Sequence, residues 1–219
     1  MANVFVNEED KLLLKSLLSI KDRHRRQLAI GSVITKIFEY NKLPIPVVVG
    51  GTVVYLYSDG LYRSLDLDMK SDVVPEYKEI MKELGYTRIG KDFIHDELES
   101  YIEFPSGDRE DSEEHMVKYI VEETGLPIYL IGFEDIILDR IKSYHATNDQ
   151  ESKEWALKLM GALYGHIDWS YLHKQANKLG ILKVTEKIQR TVKRYPQLYK
   201  AMKDETSVTS ENIGRMKLF

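Results

Sequence analysis

The sequence predicts an α+β protein in which a small mixed sheet with flanking helices is followed by a C-terminal helical bundle. Three observations carry this expectation. Short β-branched or alternating runs are gathered between residues 47 and 131, stretches of helical period stand on both sides of them, and glycines or prolines mark several of the boundaries. With 219 residues, 43% of them hydrophobic and 10% aromatic, the chain can bury one large core or two small ones.

Residues 8–40 have helical spacing. Leu13, Leu17 and Ile20, then Ile30, Ile34, Ile37 and Phe38, recur on one face of a helix broken once or divided in two, and Pro44 and Pro46 stop it. PVVVGG at 46–51 reads as a strand closed by two glycines, TVVYLY as a short helix, and Ser58-Asp59-Gly60 as the breaker after it. SLDLDMK at 64–70 then alternates strictly. Leu65, Leu67 and Met69 fall on one face and Asp66 and Asp68 on the other, the period of a half-buried strand.

A helix is expected over 74–84, ended by Gly85. Further strands are expected at 86–89, 93–95, 101–104, 117–121 and 128–131, with PSGDREDSEEH as a polar loop among them. From Phe133 the pattern is wholly helical. Phe133, Ile136, Ile137, Ile141 and Tyr144 form one apolar stripe, and Trp155, Ala156, Leu159, Met160 and Leu163 another. Two or three more helices are expected up to about residue 202, and the tail SVTSENIGRMKLF has no strong pattern. The boundary between the parts falls near Gly132, giving a core with N-terminal helices over 1–132 and a helical region over 133–219.

Composition removes several chemistries. There is no cysteine, so disulfides, thiolate metal sites and thiol nucleophiles are excluded and any metal needs oxygen or imidazole ligands. The six histidines form no i, i+4 ligand pair. No basic leader precedes an apolar stretch, and no run approaches the roughly 18 apolar residues of a bilayer span, so a cytoplasmic protein without membrane association is expected. The net formal charge of −4 gives no global basic field, so nucleic acid would have to meet a local patch. Lys21, Arg23, His24, Arg25 and Arg26 are the densest basic cluster, read either as a backbone contact for a nucleic acid such as a tRNA acceptor end or as a solvated helix start.

The chemistry-bearing pattern is the acidic strand. Two ionised carboxylates on one strand face repel, and aspartate is disfavoured in strands, so Asp66 and Asp68 call for compensation. A divalent cation supplies it, since magnesium prefers carboxylate oxygens; the alternative is an edge strand protected from aggregation by its charges. Gly50 and Gly51, closing a strand and opening a helix, let backbone N–H groups approach a phosphate at the positive end of a helix dipole, or simply make a turn. Thr52 adds a hydroxyl donor. Lys70 shares the carboxylate face, where it neutralises charge or meets a phosphate.

In VVVGGTVVYLYSDGLYRSLDLDMK the chain resembles the nucleotidyltransferase superfamily, whose motif is a strand ending in Gly-Gly or Gly-Ser, a short helix, and a strand bearing Asp-x-Asp. Arg63 and Ser64 belong to the likeness, and Thr52 stands where serine is commoner. The resemblance implies a third carboxylate on a later strand, for which Glu103 in Tyr101-Ile102-Glu103-Phe104 is the match and Glu99 the competitor. LIGFEDIILDRIKSYHATNDQESKEWALKLM is similar to the helical segment of nucleotidyltransferases related to abortive-infection and type IV toxin–antitoxin toxins. There Arg140 and Asp149 match a recurring basic and acidic position, although lysine is more usual at the first. Arg140 lies on the apolar side of its helix, so it needs either a substrate phosphate or a structural carboxylate.

The resemblance implies magnesium, or manganese in its stead, held by Asp66, Asp68 and Glu103. It implies a nucleoside triphosphate bound by Gly50, Gly51, Thr52, Arg63, Ser64, Lys70 and Arg140, and a nucleotide moved to a hydroxyl of RNA, protein or a small molecule. A toxin-like component with an antitoxin partner would fit it. The alternatives are a catalytically inactive nucleotide-binding or protein-interaction module on the same fold, and an antitoxin-like structural protein that works through its helical half.

Overall fold

The computed structural model describes residues 5–64, 66–71, 76–105, 113–196 and 216–218. The first helical stretch divides into α1 (Glu8–Ser16), a 3₁₀ turn (Leu17–Ser19) and α2 (Arg23–Tyr40). Both helices start on side-chain caps: the Asn7 carboxamide oxygen accepts from the Asp10 N–H at 2.7 Å, and the Asp22 carboxylate from the Arg25 N–H at 2.9 Å. α2 is the central helix. Ile30, Val33, Ile34, Ile37 and Phe38 are fully buried, each contributing about 1.5–3 kcal/mol of burial. Gly31 lets it press onto the sheet, since a Cβ there would lie 3.1 Å from Leu67 Cδ2.

The sheet is mixed. Its strands are β1 (Val47–Val49), β2 (Leu67–Lys70), β3 (Thr87–Ile89), β4 (Asp92–His95), β5 (Ser100–Glu103), β6 (Val117–Ile120), β7 (Pro127–Leu130) and β8 (Met216–Leu218). Their order is β3-β4-β5-β2-β1-β7-β6-β8. β1 runs antiparallel to β2 and parallel to β7, and β2 runs parallel to β5. β1 and β2, which carry the motif, therefore lie in the middle of the sheet. Between them runs α3 (Gly50–Tyr57), and α4 (Glu76–Glu83) follows β2.

The helical part comprises α5 (Phe133–Thr147), α6 (Gln150–Ala162), α7 (Trp169–Lys178) and α8 (Leu182–Arg194). It shares one hydrophobic core with the sheet part. The junction is tight: the Tyr57 hydroxyl donates to the Ile131 carbonyl at 2.7 Å, and its ring meets Phe133 edge-on at 4.7 Å. No helix among the described residues is long and apolar enough to cross a membrane.

One expectation is corrected, and one stretch without a pattern gains a structure. The acidic strand is shorter than SLDLDMK: Asp66 occupies a bend just before β2, where it escapes the ladder and stays exposed, while Leu65 lies outside the described residues. The tail contributes a strand, because residues 216–218 pair antiparallel with β6. Three residues are too few to show a period, so this pairing has no local signature. The start of the helix expected from 74, most of the polar loop after Pro105 and residues 197–215 lie outside the described residues.

Candidate active site

The glycine turn comes first. Val49 is extended, and Gly50, at φ +67°, swings the chain into α3. That left-handed value suits glycine, whose missing Cβ removes the usual clash. Space matters as much: a Cβ on Gly50 would overlap Oδ2 of Asp68, and one on Gly51 would lie 2.5 Å from Ser64 Oγ. The first N–H groups of α3 have no partner within the helix, so they present donors and a positive dipole end at this turn.

Sheet register assembles the carboxylates. Val49 pairs with Asp68 across the antiparallel ladder, which sets Asp68 beside the glycine turn, and Asp68 pairs with Glu103 across the parallel one. Burial is the main force raising the Asp68 carboxyl, reinforced by Glu103 and then Asp66 and opposed by Lys91 and Arg140; the result is about 6. Glu103 is held by Lys91 at 2.6 Å. Glu99 sits in the turn before β5 and pairs with Arg26 at 2.6 Å, so of the two competitors Glu103 is the neighbour of Asp68. Among the described residues no three Asp, Glu or His side chains converge as a metal-binding group.

A cavity of about 310 Å³ opens over this edge. Gly50, Asp68 and Lys70 form one wall, Asp139, Arg140 and Lys142 of α5 another, and Gln175 of α7 and Leu179 just beyond its end close the side. Arg140 donates from Nη2 to Asp139 Oδ2 at 2.8 Å, while its buried Nε has no hydrogen-bond partner among the described residues. Asp135 also lines the cavity and accepts from the Tyr171 hydroxyl at 2.9 Å.

Other expected residues have different employment. The Thr52 and Ser64 hydroxyls both donate to the Asp66 carbonyl, at 2.9 and 3.2 Å, so they brace the approach to β2. Arg63 is exposed and is not part of the cavity wall. Asp149 caps α6, accepting from the Glu151 N–H at 3.0 Å and the Ser152 hydroxyl at 2.6 Å, and the Ser152 bond leads in holding its carboxyl below the usual range. The basic cluster at 21–26 is largely engaged. Arg25 pairs with Glu122 and Glu123, Arg26 with Glu99, Arg23 lies over the Tyr101 ring at 5.4 Å, and burial pushes the His24 imidazole down.

Lys91, Asp139, Lys142 and Asp135 were not legible as site residues. Lys91 sits in a hairpin turn with no period, and the α5 residues differ from ordinary helix-surface charges only once the helix is docked. No family model, curated protein or solved structure matches this chain. The class of the protein therefore rests on the cleft itself.

Proposed function

We propose that the cleft is the centre of a nucleotidyltransferase that moves a nucleotide from a nucleoside triphosphate to an acceptor hydroxyl. One observation carries the reading: Asp68 lies in register with Glu103 on one side and against the Gly50 turn on the other, in a cavity that also holds Lys70 and Arg140. A buried aspartate with a glutamate beside it in the sheet, a donor-rich helix start, and two cations in the cavity that the aspartate lines suit a polyphosphate.

The donor set is all oxygen, and the carboxyl of Asp68, crowded by two like charges, gains most from a cation. This fits magnesium or manganese in kind. Asp68 and Glu103, with Asp66, would have to draw together to hold it, and the ion would supply charge neutralisation on phosphate oxygens. The protein's own groups do the rest. The N–H donors of α3 receive a phosphate, and Lys70 and Arg140 offset the remaining charge. The acceptor oxygen bonds to the α-phosphorus as the bond to the pyrophosphate oxygen breaks, and Glu103, freed from Lys91, takes the hydroxyl proton. Positioning and electrostatics suffice; no covalent enzyme intermediate is needed.

The Lys91–Glu103 pair also supports a second reading, a module that binds nucleotide without transferring it, because it occupies the third carboxylate. One experiment separates the two. Purified protein with magnesium, total RNA and each of four α-labelled triphosphates is expected to release pyrophosphate and label an acceptor, and Asp68→Asn is expected to do neither. Triphosphate binding without pyrophosphate release would select the second reading.

A further inference from the structure

A basic surface other than the cluster at 21–26 stands open on α7 and α8. From Trp169 to Arg194 the chain carries seven lysines and arginines against one glutamate, within a molecule of net formal charge −4. On α8, Lys183, Lys187, Arg190 and Arg194 follow one another at steps of four, three and four, so they form a single row. The buried row of that helix is Thr185, Ile188 and Val192. At 100° per residue the basic row lies on the opposite side, and all four of its members are exposed. Lys174 and Lys178 form the equivalent exposed row on α7, opposite Leu172 and Ala176. The two helices lie side by side, with His173 Nε2 2.9 Å from Gln189 Oε1 between them. Glu186 faces Arg190 at 3.9 Å.

We infer that the α7–α8 face binds the phosphate backbone of a nucleic-acid strand and leads its end to the cleft. The inference rests on the proposed transferase for the use made of that strand, whereas the surface itself is independent of it. Lys174 and Lys178 each precede a residue of the cavity wall, Gln175 and Leu179, so the basic face begins at the rim of the cleft that holds Asp68. The α8 row extends over about 16 Å of helix axis, against a phosphate about every 3.4 Å along a duplex strand, so several backbone charges face it at once. Tyr195 closes the row, 39% exposed with its ring 5.4 Å from the Arg194 guanidinium, and offers a base a stacking face.

Charge without apolar anchors selects this occupant. A protein partner would be expected to bury an aromatic or aliphatic centre, and among the described residues Tyr195 is the single large hydrophobic exposed on α8 and its end. A bilayer would need the apolar face of α8, which is already packed in the core.

The test is binding of a short fluorescein-labelled oligoribonucleotide, by anisotropy over a salt series, without triphosphate. The wild type is expected to bind with a steep salt dependence. Changing Lys183, Lys187, Arg190 and Arg194 together to Ala is expected to weaken binding at least about tenfold and flatten the log–log salt slope by about three. Exchanging each Lys for Arg and each Arg for Lys should retain binding, and melting curves check that both variants fold. Undiminished affinity in the alanine variant overturns the inference, as does tighter binding to polyglutamate or phosphatidylserine vesicles than to RNA. The two readings fail separately. RNA binding through the row with no pyrophosphate release from any triphosphate overturns the transferase alone, and pyrophosphate release with no RNA binding overturns the surface alone.

Discussion

Gly50 and Asp68 are packed so closely that a methyl group on the glycine would overlap the aspartate's Oδ2 and lie 3.3 Å from its Cγ. Two adjacent strands meeting in antiparallel register produce this contact, and it ties the glycine turn to the carboxylate.

Gly50→Ala meets two penalties, the overlap and the positive φ. It is expected to destabilise the protein by about 1–3 kcal/mol and to abolish triphosphate binding by displacing Asp68. Thermal melts and equilibrium dialysis check this. A variant with the wild-type melting temperature and undiminished affinity would sink the assigned role of the turn.

Asp68 imposes a pH dependence of definite sign. Its native carboxyl is raised from 3.8 to about 6, so between those values the folded state keeps a proton that the unfolded state has lost. Stability therefore falls as pH rises through this window and levels off above it. The size is on the order of 2 kcal/mol after allowing for partial solvent access. Asp68→Asn should remove that slope and melt higher at pH 7 without metal. The affinity of the wild type for magnesium should rise up to pH 6 and then flatten, which isothermal titration at several pH values measures.

Lys91 pairs with Glu103 at 2.6 Å. Replacing this exposed lysine with Met is expected to leave the melting temperature nearly unchanged and to strengthen magnesium binding several-fold, because Glu103 loses its counter-charge. Weaker magnesium binding in Lys91→Met would instead assign the lysine to the ligand.

Arg140 has one guanidinium nitrogen on Asp139 and a buried Nε without a partner among the described residues. Arg140→Ala should weaken triphosphate binding by about tenfold or more, the equivalent of about 1.4 kcal/mol, with a smaller effect on folding. Arg140→Lys should recover part of the affinity, since charge remains but the planar fork is lost. Large destabilisation with unaltered affinity would mark Arg140 as a structural partner only.

Much of the fold was legible because its signals are local. The break between α1 and α2, the strand of three valines, the helix closed by Gly85 and the stripes of α5 and α6 each lie within one window of sequence, where hydrophobic period and punctuation act. Asp66 was misread and β8 went unread for a common reason. Alternation cannot tell how many residues of a run find a partner strand, and a three-residue edge strand exists only because β6 is there to pair with it.

The sequence by itself determined the ingredients of the candidate site: carboxylates without any cysteine, a glycine pair after a strand, two aspartates two residues apart, and a class of fold able to present them. Tertiary structure decided which of them meet. The parallel pairing of β2 with β5 brings Glu103 rather than Glu99 to Asp68, Arg26 takes Glu99 away, and Lys91 arrives from a hairpin turn. The docking of α5 and α7 supplies the second wall. Contacts between residues tens of positions apart depend on register and packing, and neither leaves a periodic trace in the chain, so the ingredients were local and their meeting was not.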